Sequence, residues 1–442
     1  MKALIVSTPG SGHLNPLLSV GRALLSLGHE IVALSAHALR KQIEDSRVSF
    51  RGFPSPADFD LRRIEHEFPG YSDIPDGPER LLWIVKRVFI DPIPAQHGAI
   101  QQVLQHFPAD IMLADDFFFG ALPMLLGPRS ERPPVIMLGT TSLHLSRDDG
   151  APYFAGLPPA IDDAQRQEYS AIHEMHADVL LGPLDRHLEG CLLRMGVDPP
   201  NVTTLDTTVL LPDAYLQLTV PSFEYPRENL SASVRFVGTP PIAANQAPLP
   251  PWAHEVDGSR KVVLVTQGTL SNHDFGELVT PALAALAAEP DLLVVVTAGG
   301  RASASIPGPI PDNARLADYL PLDWLFPRLD VLVTNGGYGT VNQAMSYGVP
   351  IVAGGLSEDK REANARVAWS GVGIDLQTSN PEPEALRAAV RKVVDEPRYR
   401  ARAKALAAEF ATYDTTSEII TVLTDLAVPL PRRPDGSVRD GR

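Results

Sequence analysis

The stretch Thr334–Gly373, TNGGYGTVNQAMSYGVPIVAGGLSEDKREANARVAWSGVG, decides how the rest of the chain is read. It follows the apolar run Val331-Leu332-Val333, the pattern of a buried parallel strand. Asn335-Gly336-Gly337-Tyr338-Gly339-Thr340 comes next, and a helical segment, Val341 to Tyr347, follows it. A glycine-rich turn between strand and helix lets backbone N–H groups come close to a ligand. The helix N-terminus behind that turn carries partial positive charge, so a phosphate is its natural guest. Gly348-Val349-Pro350 stops the helix, Ile351-Val352-Ala353 restarts a strand, and Glu358-Asp359-Lys360 opens another helix with Asn364 further along. Carboxylates at a strand end accept hydrogen bonds from sugar hydroxyls. A phosphate cradle followed by hydroxyl acceptors is what a nucleotide-sugar site needs.

Outward from this stretch the same design recurs. Lys2 to Ser7 reads as a strand, Pro9-Gly10-Ser11-Gly12-His13 as a tight loop, and Pro16 to Leu27 as a helix stopped by Gly28. Glu30 to Ser35 and Arg47 to Phe53 are the next strands, the βαβ opening of a doubly wound parallel sheet. Asp110 to Ala114, ending at Asp115-Asp116, and Val135 to Gly139, ending at Thr140-Thr141, are two more. Helical pieces are expected near Pro78–Phe89 and Pro94–His106. Residues 163–196 read as amphipathic helix, with Leu180, Leu181, Leu184 and Leu188 at helical spacing. Val209-Leu210-Leu211 and Leu216 to Val220 finish the first half. A second run of the same kind starts with the strand Lys261 to Thr266, the loop Gln267-Gly268-Thr269 and the helix Phe275 to Ala288. Each half carries a glycine loop after its first strand. Two such α/β halves enclose a cleft faced by strand ends, where ligands sit.

The 442 residues are enough for two domains. With 44% apolar and 21% charged residues the chain is globular rather than disordered. A net charge of −15 argues against nucleic acid or an anionic membrane as main partner. The single cysteine, Cys191, excludes an internal disulfide framework and fits a reducing compartment. Ala3 to Val6 is too short an apolar run for a signal peptide, and no run is long enough to span a bilayer, so a cytoplasmic location is expected.

The 334–373 stretch resembles the donor signature of the family-one glycosyltransferases, the UDP-glycosyltransferase superfamily, and is most similar to the bacterial branch acting on macrolides and other small apolar acceptors. The family pattern is roughly H-G-G-x-G-T-x-x-E-A, then G-V-P, then D-Q-x-x-N-A. Gly336, Gly337, Gly339, Thr340, Ala344, Gly348, Val349, Pro350, Asp359, Asn364 and Ala365 match it. Asn335 replaces the phosphate-binding His, Gln343 the ribose-binding Glu, and Lys360 the Gln that follows the sugar-binding Asp. Asn335 can still donate through its amide but carries no charge, and Lys360 is a donor only. The resemblance implies a GT-B architecture. Residues 1–222 would form an acceptor-binding Rossmann-like domain, 223–251 a linker, and 252–414 the nucleotide-sugar domain. A helix at 415–428 would cross back to the first domain, and 429–442 would be a loose tail. The resemblance also implies donor contacts from Gly12, Gly268, Thr269, Leu320, Glu358, Asp359, Lys360 and the 335–343 turn, with Tyr319 stacking on the base.

His13 sits in Gly12-His13-Leu14-Asn15-Pro16, which matches the family's G-H-x-x-P motif. An imidazole suits general-base removal of a hydroxyl proton at neutral pH. Such a base needs a carboxylate on its other nitrogen, and Asp115 stands in the family's place for it. Asp116 competes, because alternation along an extended chain allows only one of the two to point at His13. The alternative for both is capping of the following helix. Trp83, Phe89, Phe117, Phe118 and Tyr153 are candidates for an apolar acceptor pocket, with core packing as the competing role. The Gly10-Ser11-Gly12 run has Asn15 at the third glycine position, a poor dinucleotide fingerprint, and there is no G-x-S-x-G elbow. No His/Cys/Asp group shows metal-ligand spacing, so no metal cofactor is expected.

The sequence therefore predicts an inverting, metal-independent glycosyltransferase. It would use a UDP- or dTDP-linked sugar and a small, largely apolar acceptor, with room for a homodimer. Two rivals share the architecture: a nucleotide-sugar epimerase, which needs no acceptor, and a non-catalytic auxiliary subunit of a glycosyltransferase.

Overall fold

The computed structural model describes residues 1–75, 77–242, 248–268 and 272–427. The tail expected at 429–442, and Thr269 among the donor residues, lie outside the described residues.

Two parallel sheets organise the chain. The first holds β1 (Lys2–Val6), β2 (Glu30–Ser35), β3 (Ser49–Gly52), β4 (Ile111–Asp115), β5 (Val135–Gly139), β6 (Ala214–Gln217) and β7 (Val234–Phe236), in the order β3-β2-β1-β4-β5-β6-β7. The second holds β8 (Lys261–Thr266), β9 (Leu292–Thr297), β10 (Ala314–Ala317), β11 (Val331–Thr334), β12 (Ile351–Ala353) and β13 (Gly373–Asp375), in the order β10-β9-β8-β11-β12-β13. All the pairings are parallel. Both sheets are doubly wound, and the strand order reverses between β1 and β4 and between β8 and β11. Crevices that take ligands open at these switch points. His13 follows β1 and Asp115 ends β4; Gly268 follows β8 and the Asn335 turn follows β11. Topology alone thus brings the candidate residues to two facing crevices.

The strands are apolar on both faces because helices cover both sides. In β1, Leu4 and Val6 enter one core with Met112, Ala114 and Phe118, while Ala3 and Ile5 enter another with Leu17 and Leu113. That second core also receives Ile419, Val422 and Leu423 from the last helix, Thr415–Ala427. Burying each such side chain is worth about 1.5–3 kcal/mol, so the C-terminal helix is anchored on the N-terminal sheet.

The structure refines the sequence reading at three places. The first helix runs Ser11–Ser26, so Gly12 and His13 lie in its first turn rather than in a loop. Gly10, extended at φ −140°, is its N-cap, and the Leu14 N–H bonds back to the Gly10 carbonyl. Val209 and Leu210 end a short helix, Thr204–Leu210, just before β6. The linker range holds β7, a strand the sequence reading also places there, and it pairs with β6 as an edge strand of the first sheet.

The halves are joined by buried polar contacts. Gln217 Nε2 donates to Tyr338 Oη at 2.8 Å and Thr219 Oγ1 to Asn342 Oδ1 at 2.5 Å, seating the helix Tyr338–Ser346 on the N-terminal domain. Arg366, wholly buried, reaches Glu224 Oε1 at 2.6 Å and Glu362 Oε2 at 2.8 Å. Glu362 also accepts the Gly156 N–H at 2.8 Å.

Candidate active site

His13 projects from the first turn of its helix towards the end of β4. Its Nδ1 lies 3.0 Å from Asp115 Oδ1 and 3.1 Å from Thr140 Oγ1. Asp115 is fully buried and accepts from Thr8 N at 2.7 Å, Thr8 Oγ1 at 3.0 Å and Phe117 N at 3.2 Å. These donors hold the carboxylate in one orientation. Burial by itself would lower the His13 pKa. The Asp115 charge and hydrogen bond, with the charges of Asp116 and Asp359 behind them, outweigh it and push the pKa up to about 9.

Asp116 does not turn away, as strand alternation would require. The strand ends at Asp115, so alternation no longer applies one residue later. Asp116 takes Thr140 Oγ1 at 2.6 Å, Thr141 N at 3.1 Å and Thr141 Oγ1 at 2.7 Å. Ligand-type atoms of His13, Asp115 and Asp116 fall within 4.8 Å of one another, a grouping invisible to sequence spacing because it joins two separate segments.

A cavity of about 540 Å³ opens in front of His13. Phe89, Phe117 and Phe154 line it from the N-terminal domain, and Glu358 and Asp359 reach it from the C-terminal one. Three acceptor candidates are elsewhere. Phe118 is wholly buried, stacked on Phe53 with centroids 6.0 Å apart. Trp83 packs edge-on against Phe68 and beside Tyr71, so it backs the wall instead of forming it. Tyr153 is buried and donates to the Ser142 carbonyl at 3.1 Å. The sequence reading missed the wall made by Leu81, Ile84, Val85 and Val88. Their spacing of three, four and seven was a readable helical stripe, but such a stripe looks the same whether it faces a core or a cavity.

On the donor side the turn after β11 is built from backbone. Gly336 has φ +97°, and a Cβ there would sit 1.8 Å from Asn364 Oδ1, so only glycine fits. Gly337 caps the Tyr338–Ser346 helix without a side-chain partner. A Cβ on Gly12, Gly337 or Gly339 would meet no heavy atom within 4 Å, which marks open space in front of both helix starts. Asn364 Nδ2 donates to Gly355 O at 2.9 Å and to Asn335 O at 3.3 Å, tying the turns after β11 and β12 together.

The substituted positions are already engaged. Asn335 Nδ2 donates to Gln267 O at 2.7 Å. Gln343 Nε2 donates to Pro240 O at 2.7 Å, while its buried Oε1 has no hydrogen-bond partner among the described residues. Lys360, only 4% exposed, is paired with Glu358 and bonds Ser357 Oγ at 3.3 Å. Asp359, at the start of the Lys360–Trp369 helix, has its carboxyl pushed up to about 6, chiefly by burial. Gly268, at φ +72°, continues from β8. Tyr319 is 64% exposed beside a buried Leu320, so its ring is a surface and not a piece of core.

Two facing doubly wound domains, with strand-end residues of each meeting in one cleft, define a GT-B architecture. Residues 281–426 match the family described as Erythromycin biosynthesis protein CIII-like, C-terminal domain. The chain is 36% identical over 429 residues to 4'-demethylrebeccamycin synthase of Lentzea aerocolonigenes, covering 96% of this chain and 99% of that one. It is 34% identical over 439 residues to UDP-glycosyltransferase 2 of Phaeomoniella chlamydospora, covering 96% and 95%. Its fold matches the crystal structure of glycosyltransferase VinC in complex with dTDP at a TM-score of 0.66, with 21% identity over 97% of this chain and 99% of that one. The protein belongs to the family-one glycosyltransferases, the UDP-glycosyltransferase superfamily. Among the described residues no helix is long and apolar enough to cross a membrane.

Proposed function

We propose that the protein transfers a sugar, with inversion, from a UDP- or dTDP-linked donor to a hydroxyl of a small, largely apolar natural-product acceptor. The observation that carries this reading is the His13–Asp115 pair at 3.0 Å, on the edge of a cavity also reached by Asp359. His13 Nδ1 is engaged, so Nε2 is the nitrogen available to an acceptor hydroxyl. It takes the hydroxyl proton as the oxygen attacks the anomeric carbon. The bond from that carbon to the diphosphate oxygen breaks on the opposite face, and the configuration inverts. Asp115 stabilises the imidazolium that results. The N–H groups of 336–340 and the dipole of the helix behind them stabilise the departing diphosphate. Asp359 takes sugar hydroxyls.

The donor class is supported by the names of the relatives and by the dTDP bound to a protein of the same fold. The acceptor class is supported by the phenyl-lined cavity and by the relative named for rebeccamycin. We propose further that no metal takes part. Asp115 and Asp116 are already satisfied by N–H and O–H donors, which a cation would have to displace. The test is transfer from UDP- and dTDP-glucose to a panel of phenolic acceptors, with the product's anomeric configuration read by NMR. A β-glycoside from an α-linked donor, formed equally well in EDTA, is expected. An α-glycoside, or loss of rate on chelation, contradicts the reading.

A further inference from the structure

Two acceptors meet one nitrogen of His13. Asp115 Oδ1 and Thr140 Oγ1 lie 3.0 and 3.1 Å from Nδ1. The Thr140 hydroxyl has a single hydrogen, and that hydrogen is committed to Asp116 Oδ1 at 2.6 Å. The oxygen of Thr140 therefore faces the ring only as an acceptor. Asp116 cannot swing away, because its other oxygen holds Thr141 N and Thr141 Oγ1 at 3.1 and 2.7 Å. With acceptors on both approaches, Nδ1 must carry a hydrogen, so in the neutral ring it is Nε2 that is bare.

We propose that Asp116, acting through the Thr140 hydroxyl, is a second positioning residue for His13 and locks the ring in the Nδ1–H tautomer. The catalytic consequence rests on the reading of His13 as the base, whereas the tautomer is a property of the resting protein. The lock matters because an imidazole protonated on Nε2 would present a donor, not a base, to the acceptor hydroxyl. A neutral partner at position 116 would free the Thr140 hydrogen to turn towards the ring. The charge of Asp116 also favours the imidazolium formed when the proton is taken.

The charged groups around this pair are few in kind. Asp115 and Asp116 come from the end of β4, and Asp359 with its neighbour Glu358 from the opposite domain; Arg62, Arg63, Glu65, His66, Arg80 and His273 line the same cavity, but the charges that act on His13 are those of the three aspartates. The nearby cation Lys360 is paired with Glu358. His144, with Nδ1 3.8 Å from Asp116 Oδ2, is wholly buried; burial lowers its pKa, so it stays neutral and does not cancel the carboxylate. The field at His13 is therefore anionic from both sides.

The experiment is an NMR titration of histidine ring nitrogens labelled with nitrogen-15, in the wild type and in T140V, T140S, D116N and D115N. Activity–pH profiles on the same proteins accompany it. In the wild type the neutral ring should be the Nδ1–H form, titrating near 9. T140V should admit the Nε2–H form, and T140S should restore the wild-type pattern. D116N should lower the midpoint by about one pH unit, as loss of a nearby opposite charge does. The acid limb of kcat/KM should move with it while the donor KM stays constant. A T140V protein with the wild-type tautomer and midpoint overturns the proposal, and this holds even if D116N fails to fold. If the NMR shifts occur yet H13A still transfers sugar, the lock stands and the assignment of the base falls.

Discussion

The turn at 335–340, proposed for the donor, and the cavity wall at 61–89, proposed for the acceptor, are made differently. The turn at 335–340 is backbone: a left-handed Gly336, an uncapped helix start and open space before Gly337 and Gly339. The wall at 61–89 is side chain: short 3-10 and α pieces, then a helix Pro78–Ile84 that widens into a π-turn, Val85–Ile90, presenting aliphatic and phenyl groups. Such a backbone site tolerates little change in shape at Gly336, which is fixed by both its torsion and a close approach. A side-chain wall can be re-cut residue by residue without touching the chain path. Under the proposed function, the diphosphate common to all donors would meet the first kind of surface and the acceptor the second.

That difference can be broken most severely at Gly336. G336A places a methyl group on Asn364 Oδ1 and forces an alanine to positive φ, a strain of about 1–3 kcal/mol before the clash is counted. Nucleotide binding, measured by calorimetry, should be lost. G12A is the control: its Cβ meets nothing within 4 Å, so thermal stability should hold while donor affinity weakens because open space is filled. Unchanged affinity in G12A would remove Gly12 from the donor surface.

Next comes a pair of phenylalanines on the other side. F118A empties a fully buried, stacked position and should cost about 3–5 kcal/mol in chemical denaturation. F89A removes a half-buried ring from the cavity wall and should raise the acceptor KM with stability and donor affinity nearly intact. If F89A leaves acceptor KM unchanged for several acceptors, the wall is misassigned.

The smallest effect concerns pH. Asp359 should gain its proton as pH falls through about 6, because burial holds its pKa above the usual carboxylate range. A protonated carboxyl accepts fewer hydroxyls, so the donor KM should rise severalfold below pH 6 and be flat above it. D359N should show the low-pH value throughout. A wild-type donor KM flat down to pH 5 would take Asp359 off the sugar.

The same contrast explains what was legible beforehand. Residues 334–364 could be read because glycine, β-branched runs and Pro350 are torsional statements, and torsions are local. The two doubly wound sheets were readable from strand runs apolar on both faces. His13 and Asp115 are far apart in sequence, and only the topology of β1 and β4 makes them neighbours. Phe117, Phe118 and Phe119 are alike as letters; a turn sends the first to the cavity and the other two to the core, and no periodicity survives a turn to say which. Of the two carboxylates, Asp115 alone bonds the His13 ring, as the extended view expects, but Asp116 stays beside it because the strand stops between them. Thr140, which bonds both His13 and Asp116, carried no signal of its own: a threonine at a strand end is ordinary.

The most direct test of the central claim is His13→Ala assayed for transfer and for nucleotide binding on one preparation. The account predicts a rate loss of about 10²–10⁴ with UDP or dTDP affinity preserved. Transfer at the wild-type rate would contradict it.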